Sequence, residues 1–152
     1  MQIASLVDNL SASQSSFYMV KNFNKLVKDT QHDAGCFFAN LSYAPVPTFF
    51  TVQNLYYLQY FHGVVIADSL EMANVALKTK NNSQKYLYLW DLEWIRSPTS
   101  YENIVEILHN PKLKIIARSE SHANLITNFC NRVPCAIIDD WNIEQIKGMV
   151  SQ

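Results

Sequence analysis

The second half of the sequence alternates short apolar runs with helical patterns, and this alternation constrains the fold more than any other feature. The apolar runs fall at residues 62–68, 85–92, 113–117 and 134–138, and a helical pattern follows each of them. Continuous apolar strands joined by helices are typical of parallel sheets that are buried on both faces. The sequence therefore predicts an α/β fold, a three-layer Rossmann-like domain with a mostly parallel sheet.

The first half carries the same alternation less clearly. Residues 3–7 and 36–41 read as strands, and Ser11 and Gln14 have the spacing of a capping box at the start of the helix between them. Residues 52–61 are ambiguous, because their aromatic side chains favour a strand while their apolar spacing also fits a helix.

The helices of the second half have recognisable ends. Ser69 and Ser119 are placed as N-caps of two of them. A short helix over residues 100–108 ends before the Asn110-Pro111 pair, and the last helix covers residues 142–150.

Length and composition indicate one globular unit. The chain has 152 residues, and we expect a single domain over residues 1–152. Hydrophobic residues make up 49% and charged residues 16%, which favours a packed core over disorder. The net charge of −1 gives no support to nucleic-acid binding, because proteins that bind DNA usually carry a basic face.

The three cysteines and the N-terminus bear on location. Cys36, Cys130 and Cys135 fit no zinc or redox spacing, so we expect buried thiols in a reducing compartment. The N-terminus lacks the features of a signal peptide, and no apolar run is long enough to cross a membrane. We therefore expect a cytoplasmic protein that does not associate with membranes.

Ligands of parallel α/β sheets bind beyond the carboxyl ends of the strands. The polar residues that follow the predicted strands are Asp8–Asn9, Asp68–Ser69, Asp91–Glu93, Arg118–Glu120 and Asp139–Asp140. No glycine-rich loop follows the first strand, which argues against a dinucleotide site and against a P-loop.

Asp91 is the sharpest candidate among these residues. It ends a strand that we expect at the centre of the sheet, and a carboxylate beside Trp90 and Trp94 is suited to act as a general base. The alternative is that Asp91 caps the next turn or pairs with Arg96. We expect Glu93 to be a solvated neighbour.

Arg118 and Ser119 follow the next strand. The backbone amides at the helix start, together with Arg118, would suit a phosphate or a carboxylate. The alternative, which we favour, is a plain helix cap at Ser119 with a partly exposed His122. A nucleophilic pair of Ser119 with His122 is not expected, because the sequence has no nucleophile elbow.

A metal site is not expected either. Asp139 and Asp140 precede a helix, where acidic side chains are favourable without any metal. His32 and His62 lack the spacing of metal ligands. The aromatic side chains of residues 56–61 are interpreted as core rather than as a base-stacking surface.

The order of three segments, KYLYLWDLEW, LKIIARSESHANLITNF and VPCAIIDDWNIEQIK, resembles the acceptor-side half of GT-B glycosyltransferases. The sequence looks closest to the N-terminal half of phage DNA glucosyltransferases. A strand of the type Tyr-Leu-Phe-x-Asp in that family places its acid at the position of Asp91. Its Lys-Val-Ile-Ser matches residues 114–117 followed by Arg118 and Ser119, and its Pro-Ile-Glu-Gln-Tyr-Lys matches residues 142–147. The resemblance covers about residues 63–147.

This resemblance implies that Asp91 is the catalytic base that deprotonates an acceptor hydroxyl. The residues that would line the substrate-binding cleft are Asp8, Asn9, Asp68, Arg118 and Ser119. No cofactor is implied, and a nucleotide sugar would be the donor. The family implies DNA as an acceptor, which the net charge of the chain does not favour.

A GT-B enzyme has two Rossmann-like domains and holds the nucleotide sugar mostly on the second. The resemblance covers the first domain, so we expect a single GT-B half that acts with a partner transferase chain or forms a homodimer through the face that would meet a second domain. A phage origin would place the protein in the host cytoplasm.

Two alternatives to a transferase remain. One is a non-catalytic interaction or regulatory protein, such as a phage accessory protein or an inhibitor of a host factor, that retains the fold. The other is a small enzyme of flavodoxin-like or response-regulator-like architecture in which Asp8, Asp68 and Asp91 form a phospho-acceptor cluster.

Overall fold

The computed structural model describes residues 1–28, 32–42, 46–81, 84–96 and 101–151, and for Arg96 it describes the backbone. The strands are β1 Gln2–Leu10, β2 Asp33–Leu41, β3 Thr51–Asn54, β4 Val64–Ala67, β5 Lys85–Leu89, β6 Leu113–Ala117 and β7 Ala136–Ile137. The helices are α1 Gln14–Leu26, α2 Leu70–Lys78, α3 Glu93–Arg96, α4 Tyr101–His109, α5 Glu120–Cys130 and α6 Ile143–Val150, and a 3₁₀ helix covers Leu55–Tyr60.

The strands form one seven-stranded sheet in the order β3-β2-β1-β4-β5-β6-β7. Within the described ranges, every strand pair of this sheet is parallel. The prediction of a Rossmann-like α/β fold is confirmed, with a sheet that is parallel throughout rather than mostly parallel.

Two hydrophobic layers cover the sheet. On β1, Ile3 and Val7 pack toward one face, with side chains of α1 and α6. Ala4 and Leu6 pack toward the other face, with side chains of α2, α4 and α5. Alternate residues of a strand point to opposite faces, so an apolar run without polar breaks is what a doubly covered sheet requires. The three-layer prediction is therefore confirmed.

The strand order reverses direction between β1 and β4. The chain leaves β1 through α1 on one face of the sheet and leaves β4 through α2 on the other face. The carboxyl ends of β1 and β4 therefore diverge into helices on opposite sides, and a crevice opens between them. Such a topological switch point is where open parallel sheets bind ligands.

The first strand is longer than predicted. Asp8 and Asn9 lie within β1 rather than in a loop after it, because β2 continues to pair with β1 as far as Leu10 with Leu41. The cap of α1 is Ser13, whose side chain accepts a hydrogen bond from the backbone N–H of Ser16, so the predicted capping box at Ser11 is wrong.

The ambiguous segment divides into two elements, β3 and the 3₁₀ helix. Tyr56, Tyr57 and Tyr60 are 71%, 52% and 67% exposed, so their interpretation as core is wrong. Cys135 is also exposed, although Cys36 and Cys130 are buried as expected. No helix in the described part of the chain is long and apolar enough to cross a membrane.

Candidate functional site

A cleft of about 440 Å³ opens at the carboxyl end of the sheet, at the switch point. Its lining residues come from the start of α1, the β4–α2 turn, the β5–α3 turn and the end of β6: Ser13, Gln14, Ser15, Asp68, Ser69, Trp90, Asp91, Glu93 and Arg118. This cleft is our candidate functional site, because it combines the expected location with a concentration of ionisable side chains.

Two helix starts flank the cleft. The Ser13 hydroxyl caps α1, and the Ser69 hydroxyl accepts a hydrogen bond from the backbone N–H of Met72 at 3.2 Å. Serine is favoured at both places because a short hydroxyl side chain satisfies an amide that the first turn of a helix leaves unpaired. The chain thus turns sharply out of the sheet at both sides of the switch point.

Asp68 directly follows β4 and has an unsatisfied oxygen. Its Oδ1 is buried and accepts no hydrogen bond from any described residue. Burial raises the pKa of Asp68 from its ordinary 3.8 to about 7, with smaller contributions in the same direction from the negative charges of Glu93 and Asp8. A carboxylate with a pKa near neutrality exists in both protonation states at neutral pH, which is what a proton acceptor needs.

Glu93 is partly buried, so its prediction as a solvated neighbour is wrong. Its Oε1 and Oε2 accept hydrogen bonds from the backbone N–H of Leu70 at 3.0 and 3.3 Å. The carboxylate thereby caps the start of α2 together with Ser69. Burial raises the pKa of Glu93, and the charge of Asp91 adds to this effect.

Asp91 lies at the mouth of the same cleft and is exposed. Trp90 is buried, so the two neighbours have opposite environments. The apolar shielding that the pattern of tryptophans predicts for Asp91 is therefore absent, because β5 ends at Leu89 and the chain turns toward α3. The alternative pairing of Asp91 with Arg96 involves a side chain outside the described residues. Its role as a base stays a prediction.

Arg118 forms one wall of the cleft and is already engaged. Its Nη2 lies 3.0 Å from Oδ1 of Asp140, and its Cζ lies 3.8 Å from the centroid of the Trp90 ring. Asp140 has a φ of 42°, a left-handed conformation that aspartate tolerates better than most residues, and its backbone carbonyl accepts a hydrogen bond from Asn22. The side chain and the backbone carbonyl of Asp140 therefore both have partners within the chain.

A second set of contacts supports the wall behind Arg118. The Tyr88 hydroxyl donates to the carbonyl of Ile138 at 2.6 Å, and its ring meets that of Trp141 edge-on at 4.7 Å between centroids. Trp141 is fully buried, and its Nε1 donates to the Ser15 hydroxyl at 3.2 Å. The start of α1 is thereby fixed to the segment after β7.

Three residues predicted to line a cleft do not line this one. Ser119 caps α5 by accepting from the backbone N–H of His122 at 3.3 Å, which confirms the plain cap. Asn9 accepts from the Ser42 hydroxyl at 3.0 Å, at the β2 side. Asp8 contributes only through its charge, which acts on Asp68.

The described side chains do not form a metal centre: no group of three or more His, Cys, Asp or Glu residues among them is placed to hold an ion. The α2 side of the cleft and its described arginine offer little to a phosphate. The start of α2 is occupied by the carboxylate of Glu93, and the guanidinium of Arg118 is paired with Asp140.

The residues that sequence reasoning missed are Ser13, Gln14, Ser15 and Glu93. The run of small polar residues after β1 was a usable signal, because the first β–α turn of such a fold always borders the switch point. No local signal identifies Glu93, whose partner is 23 residues away in the chain.

The fold and the cleft define this chain as a Rossmann-like α/β domain with an acidic, ligand-sized cleft at its topological switch point. Comparisons with protein-family models, with curated proteins and with solved structures find no match for it.

Proposed function

We propose that this chain is the acceptor-side domain of a glycosyl transfer reaction, and that it binds a hydroxyl-bearing acceptor in the switch-point cleft. The observation that carries the proposal is the buried Oδ1 of Asp68, which has no hydrogen-bond donor among the described residues, in a cleft large enough for a monosaccharide. A hydroxyl group that donates to this oxygen would satisfy it, since buried polar atoms are nearly always hydrogen-bonded.

In this proposal Asp68 is the proton acceptor. Its pKa of about 7 suits it to take the proton of the acceptor hydroxyl while the hydroxyl oxygen bonds to the sugar and the nucleotide leaves. Asp91, the base that the resemblance to GT-B enzymes implies, lies at the exposed mouth. We therefore assign Asp91 to acceptor binding and Asp68 to proton transfer.

The nucleotide-sugar donor is held by a partner chain. Among the described lining residues there is no glycine-rich turn, Arg118 is paired with Asp140, and Glu93 occupies the start of α2. A diphosphate would therefore meet carboxylates rather than cations. Transfer requires the donor and the acceptor to be held in a defined orientation, so this domain needs a second domain that binds the donor.

A small-molecule acceptor fits this cleft better than DNA. The resemblance to phage DNA glucosyltransferases would make a base of phage DNA the acceptor. The chain has a net charge of −1, and the described lining of the cleft includes the carboxylates of Asp68, Asp91 and Glu93. Phosphates of a duplex would be repelled rather than attracted by such a surface. The free thiols at Cys36, Cys130 and Cys135 support the cytoplasm as the location.

Binding of simple sugars followed by NMR tests the proposal. Methyl glucoside added to the isotopically labelled protein should shift the backbone amides of residues 13–15, 68–70 and 90–93. Asp68→Asn should weaken this binding, and Asp91→Asn should weaken it less. Uridine diphosphate glucose alone should not change the chemical shifts of these amides.

The control is a variant outside the cleft, Glu144→Gln, whose exposed side chain forms an ion pair with Lys147 on the same helix. It should bind sugars like the unaltered chain. The proposal is wrong if methyl glucoside at saturating concentrations shifts none of the cleft amides. If Asp91→Asn weakens binding more than Asp68→Asn, the assignment of Asp68 as the proton acceptor is wrong.

A second candidate function, an interaction module that forms a homodimer, is favoured by one surface. Residues 34–67 contain no Asp, Glu, Lys or Arg, and they include the edge strand β3. Described residues of the same stretch expose large aromatic side chains at Phe49, Tyr56, Tyr57 and Tyr60. A two-fold contact places a surface against a second copy of the same surface, so an uncharged surface avoids repulsion between like charges there.

Sedimentation equilibrium tests this second candidate. The chain should form a dimer, and Tyr56→Glu and Tyr60→Glu should each return it to a monomer by adding like charges across the two-fold contact. Leu125→Glu, at an exposed position on α5, is the matched control and should leave the dimer intact. A monomer at every concentration would exclude the homodimer.

A further inference from the structure

The two helices that border the switch-point cleft differ in how the backbone N–H groups of their first turns are satisfied. At the start of α2, a serine cap and the carboxylate of Glu93 each accept one of these groups. At the start of α1, the hydroxyl of Ser13 accepts the N–H of Ser16 at 3.1 Å. The N–H groups of Gln14 and Ser15, which both line the cleft, donate to no residue in the described part of the chain.

The side chain of Ser15 adds a donor on the same side of the cleft. Its oxygen accepts a hydrogen bond from Nε1 of Trp141 at 3.2 Å. A hydroxyl group that accepts a hydrogen bond still has its own proton to donate. The α1 side of the cleft therefore presents donors, and a ligand that binds there must bring an acceptor.

Asp68 is the second, independent observation, and it calls for the opposite group. Its backbone N–H donates to the carbonyl of Leu6 at 3.0 Å, so Asp68 continues the pairing of β4 with β1. Along β4, Ile66 packs on the α1 face of the sheet and Ala67 on the other face, and this alternation directs Asp68 toward the α1 face. Its buried Oδ1 has no hydrogen-bond donor among the described residues. The ligand must therefore bring a donor to Asp68 as well as an acceptor to α1.

The acceptor group of the ligand is best a neutral carbonyl. Two neighbouring N–H groups can share one carbonyl oxygen, which has two lone pairs and brings no proton of its own. A carboxylate or a phosphate would also be favoured by the N-terminus of α1. It would, however, be repelled by the carboxylate of Asp68, which the hydroxyl of the same ligand has to reach. A carbonyl avoids this repulsion.

We infer that the acceptor substrate is an N-acylated amino sugar, whose amide carbonyl accepts from the backbone N–H groups of Gln14 and Ser15 while a neighbouring hydroxyl donates to Oδ1 of Asp68. An unsubstituted sugar satisfies Asp68 in the same way but offers α1 only a hydroxyl oxygen. The inference rests on the proposed acceptor binding and names the class of acceptor substrate.

Three neutral sugars of one skeleton test this inference by NMR titration: methyl glucoside, methyl N-acetylglucosaminide and its N-thioacetyl analogue. The N-acetyl sugar should bind about three- to tenfold more tightly than methyl glucoside, the size expected of one neutral hydrogen bond. The N-thioacetyl sugar keeps the shape of the substituent but carries a weaker acceptor, so it should lose most of this advantage.

Equal affinity for the N-acetyl sugar and methyl glucoside would overturn the inference and leave acceptor binding intact. Equal affinity for the N-acetyl and N-thioacetyl sugars would overturn it as well, because the preference would then come from the size of the substituent. If none of the three sugars shifts the amides of residues 13–15 or 68–70, both the inference and the proposed function are wrong.

A pair of variants at Gln14 locates the carbonyl. Gln14→Pro and Gln14→Ala both lack the amide side chain, but Gln14→Pro also lacks the backbone N–H. Proline is favoured at the first position of a helix, and Ser13 before it has the extended conformation, φ −98° and ψ 160°, that precedes proline. The preference for the N-acetyl sugar should therefore be smaller in Gln14→Pro than in Gln14→Ala.

The control is Glu120→Pro, which places proline at the same position of α5, outside the cleft lining. It should keep the preference of the unaltered chain. An equal preference for the N-acetyl sugar in Gln14→Pro and Gln14→Ala would overturn the assignment of the carbonyl to the start of α1.

Discussion

The carboxylate of Glu93 accepts a hydrogen bond from the backbone N–H of Leu70 at 3.0 Å, and this contact connects the β5–α3 turn to the start of α2. The contact brings a negative charge to the N-terminus of α2, where it is favourable, and brings it close to Asp68, where it is not. The same carboxylate therefore stabilises a helix and raises the pKa of the neighbouring acid.

Replacing Glu93 should separate its role as a cap from its charge. Glu93→Ala should lower the free energy of unfolding by about 1 kcal/mol, the usual effect of losing a helix cap. Glu93→Gln should cost less, because its amide oxygen can still accept from Leu70. Urea unfolding near pH 6 is the appropriate measurement, since much of Asp68 is then protonated and the lost repulsion does not mask the lost cap.

Asp91 provides the control for this experiment. It is exposed and lies two residues away, and Asp91→Ala should change the free energy of unfolding by less than about 0.5 kcal/mol. An equal loss of stability in Asp91→Ala and Glu93→Ala would contradict the cap that we assign to Glu93.

The raised pKa of Asp68 makes the stability of the fold depend on pH. The folded protein holds the proton up to about pH 7, while the unfolded chain releases it near 3.8. The stabilising contribution is therefore fully present below pH 3.8, declines as the pH rises toward 7, and is absent above that. The total decline should be up to about 4 kcal/mol.

Asp68→Asn isolates this contribution, because it removes the titrating proton at nearly constant shape. The difference in unfolding free energy between the unaltered chain and Asp68→Asn should favour the variant increasingly from about pH 4.5 to pH 8. Parallel curves for the two proteins over that range would show that the pKa of Asp68 is ordinary in the folded state.

The second half of the fold could be predicted because its signals are local. Ser69 and Ser119 were identified as caps, and the strand at residues 113–117 matches β6 in both bounds. An apolar run between a cap and a turn determines a buried strand within a few residues, whatever the rest of the chain does.

The parts that were missed depend on contacts between distant segments. β1 extends through Asp8 and Asn9 because β2 pairs with it that far, and no residue near Asp8 encodes this. The exchange of roles between Asp91 and Glu93 has the same origin, because the position of Leu70 makes Glu93 the partly buried acid of the two. The aromatic residues at 56–60 were assigned to the core by residue type, which cannot tell an exposed aromatic surface from a buried one.

The glycines offer a test of backbone packing with opposite outcomes. A Cβ at Gly63 would lie 2.5 Å from the backbone oxygen of Gln2, so Gly63→Ala should destabilise the fold by about 1–3 kcal/mol. A Cβ at Gly148, exposed in α6, would meet nothing within 4 Å. Gly148→Ala should stabilise the fold by about 0.5–1 kcal/mol through helix propensity.

The measurement is the melting temperature of each glycine variant, compared with that of the unaltered chain. A rise in melting temperature for Gly148→Ala verifies that α6 is a regular helix in solution, while the fall for Gly63→Ala reports the close approach to Gln2. A neutral Gly63→Ala would mean that the turn before β4 lies farther from β1.

Arg118 should stabilise the cleft wall through its stacking on Trp90 more than through its ion pair with Asp140. The ion pair is about one-third exposed on each side, at 30% and 32%, and such pairs contribute only about 0–1 kcal/mol. The guanidinium lies 3.8 Å from the centre of the Trp90 ring, and a planar cation at that distance contributes about 0.5–1 kcal/mol.

Asp140→Asn keeps a residue that tolerates the left-handed backbone at φ 42°, so it should remove the ion pair at little further cost. Arg118→Lys should lose the stacking but keep the charge, and Arg118→Met should lose both, by about 1 kcal/mol in total. Urea unfolding of these variants and of Arg118→Met combined with Asp140→Asn gives the coupling between the two residues. A coupling as large as the whole effect of Arg118→Met would contradict the dominance of the stacking on Trp90.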